Sequence, residues 1–213
     1  EEILEHFQSR NSVKSFVVAD KEETSKTKID RILTNEFQFN QETYQLPINF
    51  DWTKNPSHDI EWMIMWHKFY YAVGLGIAYQ ETSEQRYLKK WIELISSFID
   101  STAHNILSSD VIGRRIQNWI FSYSYFVSSI SPDFNLKFLH SIHEQVSLLL
   151  SNLTEARNHR TLELYTIFLA AVFFPEFKGA DEWLEFSKTE LLKNMQSDLL
   201  SDGVQCELST DYH

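Results

Sequence analysis

The feature that most constrains this chain is a repeat of paired helical stripes with a period of about 50 residues. Each stripe places apolar side chains three and four positions apart, the spacing of a helix with one buried face. The first pair runs through Trp62, Trp66, Phe69, Tyr70, Val73 and Ile77, then Leu88, Trp91, Ile92, Ile95 and Ile99. The second runs through Ile116, Trp119, Ile120, Tyr123, Val127 and Ile130, then Phe138, Leu139, Ile142, Val146 and Leu149. The third has Leu162, Tyr165, Leu169 and Val172, then Trp183, Phe186, Leu191 and Met195. The pairs begin near residues 59, 110 and 158. Stacked helical pairs of this size build either solenoids or closed α/α toroids, and the period alone does not choose between them.

With only five Gly and four Pro in 213 residues, the chain has few breakers and favours long helices over many short strands. Residues 1–34 read as two polar helices carrying Ile3, Leu4 and Phe7, then Ile29, Ile32 and Leu33. Helical periodicity then lapses to residue 58. Pro47, Pro56, Asn49, Asp51 and Asn55 mark an extended connector that carries Phe50 and Trp52. The expected organisation is a single all-α unit, with N-terminal helices and connector over 1–58 and helical hairpins over 59–213. Three hairpins are fewer than a closed toroid needs, so the expectation is an incomplete toroid, an arc cut from a longer protein.

A formal net charge of −11 argues against nucleic acid as a partner, because phosphate binding needs clustered Lys and Arg. A local groove can still be positive on an acidic protein. Arg114, Arg115, Arg157 and Arg160 gather along two of the predicted helices. The longest apolar run, Tyr165 to Phe174, is far short of the roughly 20 residues that a membrane span requires. The single Cys206 excludes an internal disulfide framework and any cysteine-based zinc site. His140 and His143 are near ligand spacing, but no third ligand joins them, so no metal or other cofactor is expected in this region. The chain begins Glu1-Glu2 and carries no signal peptide; it reads as a processed or excised piece.

The chemistry concentrates at Arg157-Asn158-His159-Arg160, which opens the third hairpin, and at the closing stretch Asp202-Gly203 through Glu207-Leu208-Ser209 to Tyr212-His213. To these the chain adds Asp51-Trp52 and Asn55-Pro56, Glu61-Trp62, Trp66-His67, Arg115 followed by Trp119, Glu163, and Phe173-Phe174-Pro175-Glu176-Phe177. In that order and spacing, from about Pro47 onward, the chain resembles the helical N-terminal domain of the heparinase II/III-like polysaccharide lyases, a group that includes related alginate lyases. The resemblance implies a lyase acting on uronate-containing polysaccharides by β-elimination, built from an α/α toroid joined to a C-terminal β-sandwich domain. It implies that Asn158 and His159 neutralise the uronate carboxylate and that Tyr212 carries the proton. It also implies a periplasmic or secreted bacterial protein, and further catalytic residues beyond His213, so that residues 1–213 alone would be inactive.

The residue types suit that reaction. The proton beside a uronate carboxylate is weakly acidic while the carboxylate keeps its charge, so donors aimed at the carboxylate lower the barrier. Asn158 supplies an amide donor and His159 an imidazole, at a helix start that adds free N–H groups and partial positive charge. Tyr212 is a proton carrier if neighbouring cations such as Arg160 or His159 favour its phenolate. Trp66 and Trp119 are candidate sugar platforms, and Arg115 is a candidate bidentate partner for carboxylate or sulfate. His67, His213, Arg160 and Glu163 complete the candidate substrate contacts.

Plainer readings stand beside these. Asn158 read alone is a helix N-cap, His159 an exposed first-turn residue and Tyr212 an ordinary tyrosine. Trp62, Trp91 and Trp183 sit in apolar stripes and belong to a core; Trp66, Trp119 and Arg115 fit a core or a cleft equally. Glu163 either orients His159 or pairs with Arg160. The alternative function is a non-catalytic acidic-glycan-binding or scaffolding helical domain, and a helical-repeat protein-interaction module stands behind it. Neither the polymer, its sulfation, nor endo versus exo action can be read from these residues, and oligomeric state is equally open.

Overall fold

The computed structural model describes residues 1–10, 17–101, 103–104 and 106–198. Two short helices come first, α1 (Glu2–Ser9) and α2 (Lys26–Ile32). A two-stranded antiparallel sheet follows, β1 (Glu36–Phe39) with β2 (Glu42–Gln45). Then come α3 (Ile60–Lys68), α4 (Tyr70–Thr82), α5 (Gln85–Ile99), α6 (Ser109–Phe126), α7 (Pro132–Leu150), α8 (Arg157–Phe173) and α9 (Ala180–Asp198). The hairpin starts expected from periodicity coincide with α3, α6 and α8. The local signals are ordinary caps: Asp59 accepts from the Glu61 N–H at 2.9 Å, and Ser131 precedes Pro132 and accepts from the Phe134 N–H at 3.3 Å.

Three features differ from the sequence reading. The extended connector contains a β-hairpin, with Phe37 opposite Tyr44 and Phe39 opposite Glu42. Its turn is Asn40-Gln41, both with positive φ (48° and 65°), as a two-residue primed turn requires. Phe37 and Phe39 are buried against Trp66, Tyr71 and Trp62, so strands of four residues are stabilised by aromatic packing onto α3 and α4.

Second, the first long helix is broken at Phe69, which adopts a left-handed conformation at φ 58°, ψ 32°. Such a residue costs about 1–2 kcal/mol. Burial of its ring among Trp52, Phe98 and Trp119 offsets this, and the Tyr71 hydroxyl donates to the Trp66 carbonyl at 3.0 Å across the break.

Third, α6 buries side chains around most of its circumference rather than along one stripe. It lies between α4 and α8, which flank it, and it also contacts α3 and α7. Helices α5 and α7 pack together behind α4 and α6, and α9 packs on α8. The result is an arc of two helical layers. The close approach of α4 to α6 uses Gly76, where a Cβ would meet the Tyr125 ring at 2.5 Å.

The N-terminal elements join the same core. Helix α1 packs on α7, α2 packs on α4 and β1, and β1 touches α3. Phe7 stacks edge-on against Tyr123 and Phe174, while Arg10 lies 4.4 Å over the Phe7 ring and pairs with Glu176 at 3.0 Å. Among the described residues no helix is long and apolar enough to cross a membrane.

Candidate functional site at the start of helix α8

Helix α8 begins two residues earlier than an Asn158 cap would require. Ala156 precedes it in extended conformation, and Arg157 turns the chain with a φ of 73°. A non-glycine residue in that region is strained by roughly 1–3 kcal/mol and persists only where its surroundings hold it. Here they do. Glu163 is fully buried and accepts from the Ser109 hydroxyl at 2.6 Å and from the Thr154 N–H at 2.8 Å. Arg160 donates to the Thr154 carbonyl at 2.7 Å and to Glu190 at 2.8 Å. From α9, the Asn194 amide donates to the Arg157 carbonyl at 3.1 Å, to the Thr161 hydroxyl at 2.7 Å and to Asp198 at 3.1 Å. Three helices thus grip the turn from both sides.

The turn sets Asn158 at the edge of a cleft of about 430 Å³ lined by Val18, Arg114, Gln117, Asn158, Thr161, Leu162 and Tyr165. That volume lies in the small-ligand range of about 300–1,000 Å³. Asn158 is partly exposed and lines the cleft; its Oδ1 accepts from the His159 N–H at 2.7 Å, and its Nδ2 has no partner among the described residues. Arg114 donates to Gln117 Oε1 at 2.8 Å, and its guanidinium lies 5.8 Å from the centre of the Tyr70 ring. Its Nε is buried with no partner among the described residues. Burial raises the Tyr70 and Tyr165 phenols above their ordinary value, with Arg114 opposing the rise in both, so they stand near the cleft as neutral hydroxyls.

Several sequence-predicted contacts are not in this cleft. Trp66 and Trp119 are completely buried, Trp66 stacked on Trp52 at 4.5 Å and Trp119 against Phe69, Phe98 and Phe138. They are core, not sugar platforms. His67 is also fully buried. Its Nε2 lies 2.9 Å from the Trp52 carbonyl, which can only accept, so that nitrogen carries the proton. Burial first, then the Arg115 charge, push its pKa down to about 3.

Arg115 is 1% exposed; it donates to Gln145 at 2.7 Å and to the His104 carbonyl at 2.8 Å, and sits 4.5 Å over Phe98. Arg160 is occupied by Thr154 and Glu190, and Glu163 neither orients His159 nor pairs with Arg160. His159 is exposed, with Nδ1 3.8 Å from Asp110, and does not line the cleft. Tyr212, His213 and Glu207 lie outside the described residues.

The Heparinase II/III N-terminus family model matches residues 1–213. The chain belongs to that family. A heparin-sulfate lyase of Pedobacter heparinus is 25% identical over 198 residues, which cover 86% of this chain and 30% of the relative. One from Bacteroides stercoris is 25% identical over 247 residues, covering 99% of this chain and 37% of the relative. Among solved structures, a crystal structure of heparinase III aligns with a TM-score of 0.86 at 21% identity, covering 99% of this chain and 36% of that one. The heparan sulfate lyase from Pedobacter heparinus aligns with a TM-score of 0.80 at 23% identity, covering 99% and 36%. At those identities the likeness shows the fold, and it identifies the layered arc as the N-terminal part of the heparinase α/α toroid. The chain spans only 30% to 37% of the length of these curated relatives.

Of the residues singled out in the sequence, Asn158 lies at the cleft, whereas Arg115 is buried and its neighbour Arg114 lines the cleft instead. Arg114 and Arg115 are neighbours, and successive helical residues are turned about 100° from one another. Arg115 faces the core and Arg114 the cleft. Gln117 and Thr161 were missed as lining residues because each fits an ordinary helix surface, and Tyr165 because it falls in an apolar stripe.

Proposed function

We propose that the protein containing these residues is a polysaccharide lyase that cleaves uronate-containing glycans by β-elimination, with heparan-type chains as substrate. The observation that carries the reading is Asn158, whose amide donor has no partner among the described residues, held at the edge of a cleft that Arg114 also lines. Family membership supports the reaction class, and the names of the heparin-sulfate lyase relatives support the substrate class.

In this reading the Asn158 amide donates to the uronate carboxylate, stabilising the enolate-like charge that develops when the neighbouring carbon loses its proton. His159, exposed on the same turn just outside the cleft lining, adds a second donor where the glycan extends beyond the cleft. Tyr212 handles the proton: the C–H bond at the carbon beside the carboxylate breaks, a C=C bond forms, and the bond to the 4-linked oxygen breaks as that oxygen takes up a proton. A preorganised donor of this kind contributes about 3 kcal/mol to the barrier. The reading also includes catalytic residues and a β-sandwich domain in the remainder of the protein, and a periplasmic or secreted location where such polymers are met.

The test is product absorbance from the unsaturated uronate, measured with the full-length protein on heparan-type and other uronate polymers. Asn158→Ala and Tyr212→Phe are each expected to lower kcat by about 100-fold or more. An active wild type whose two variants both keep full activity would overturn the assignment. Binding of the glycans with no product from any would instead leave the cleft as an acidic-glycan-binding module.

A further inference from the structure

The arginines in contact with solvent are mostly committed to carboxylates. Arg10 pairs with Glu176, Arg31 with Glu36, Arg86 with Glu84 and Arg160 with Glu190. Arg114 is in no ion pair among the described residues, although the protein carries a net charge of −11. Its geometry is nevertheless fixed. Gln117, one turn along α6, holds one terminal nitrogen at 2.8 Å, the Tyr70 ring lies beside the guanidinium, and the buried Nε has no acceptor among the described residues. A planar cation in no ion pair among the described residues, fixed by Gln117 on a rigid helix at the wall of the cleft, is placed to meet a two-oxygen anion with its terminal nitrogens.

We propose that Arg114 binds a second anionic group of the glycan, a carboxylate or a sulfate distinct from the carboxylate that Asn158 takes. The inference rests on the cleft being the glycan site, as proposed above. Arg114 binds substrate equally in ground and transition states, whereas Asn158 acts on the reacting sugar. The two residues therefore leave different kinetic signatures.

The experiment uses the full-length protein with heparan-type oligosaccharides of one length, sulfated and unsulfated, following both calorimetric Kd and steady-state kcat and KM. Arg114→Ala is expected to raise Kd and KM at least about tenfold with kcat within about threefold of wild type. Arg114→Lys, which keeps the charge without the planar fork, should fall between, and thermal unfolding of both variants confirms that they fold. Loss confined to the sulfated chain identifies the group as a sulfate; equal loss on both identifies a carboxylate.

Kd and KM changed less than twofold on both chains would overturn the proposal. So would a fall in kcat matching that of Asn158→Ala at unchanged KM, which would place Arg114 on the reacting carboxylate. If wild type binds without turnover, the lyase reading fails while the Kd values still decide for or against Arg114. A wild type that binds neither oligosaccharide overturns both.

Discussion

The aromatic centre of the arc and the turn before α8 are stabilised in opposite ways. At the centre, Trp52, Trp66, Phe69, Phe98, Trp119 and Phe138 interlock through many weak ring contacts, and no single polar bond decides the geometry. At the turn, a strained Arg157 backbone is held by a few discrete hydrogen bonds from Glu163, Arg160 and Asn194. The first region gives rigidity that survives averaging over many contacts. The second gives a defined direction to one side chain, Asn158, and loses it if a bond is removed. Aromatic residues near a candidate sugar site are therefore not evidence of sugar contact here, while the buried Glu163 carboxylate, with no cation among its described partners, is evidence of positioning.

Substitutions can break this comparison. The largest effect is expected from Trp119→Ala, which empties a fully buried ring site and should cost about 3–5 kcal/mol of stability by chemical denaturation. The protein that remains folded should keep its cleft affinity for glycans; a selective loss of affinity at unchanged stability would return Trp119 to the cleft.

Next is Glu163→Ala, which strands the Thr154 N–H and the Ser109 hydroxyl. We expect about 2–3 kcal/mol of destabilisation and a fall in kcat of the full-length protein through misplaced Asn158. Unchanged kcat would show that the turn holds without it.

A third effect depends on pH. His67 is neutral in the fold down to about pH 3, whereas an unfolded histidine protonates near 6.5. The unfolded state therefore binds the extra proton as pH falls from about 6.5 towards 3, and stability drops by about 1.4 kcal/mol per pH unit over that window. Above about 6.5 both states are neutral and the contribution is flat. Urea titrations at pH 7, 6 and 5 should show the slope, and His67→Phe should remove one proton's share of it.

The smallest effect is expected from Arg160→Ala. It loses a partly exposed pair with Glu190 and one hydrogen bond to Thr154, together about 1 kcal/mol. Because Arg160 is committed to the turn, its removal should act on kcat with stability; a change confined to Kd would make it a substrate contact after all.

The starts of α3, α6 and α8 were legible in the sequence, because apolar spacing of a helix with one buried face is a local pattern that resumes there. The break at Phe69 was not, because its left-handed backbone is stabilised by Trp52, Phe98 and Trp119, which come from distant positions. Strands β1 and β2 are four residues each, too short for alternation to stand out, and depend on α3 for burial. In the site, Asn158 was legible through its motif. The choice between Arg114 and Arg115 was not, since both lie on α6, a helix enclosed on nearly every side, where apolar spacing no longer marks which face is outward.

The most direct test is a crystal structure of the full-length Tyr212→Phe protein with a heparan-type oligosaccharide bound. The account predicts a uronate carboxylate within hydrogen-bond distance of Asn158 Nδ2, about 3 Å, and a second anionic group on Arg114, with Trp66 and Trp119 still enclosed. A glycan seated elsewhere, with Asn158 free of the carboxylate, would contradict it.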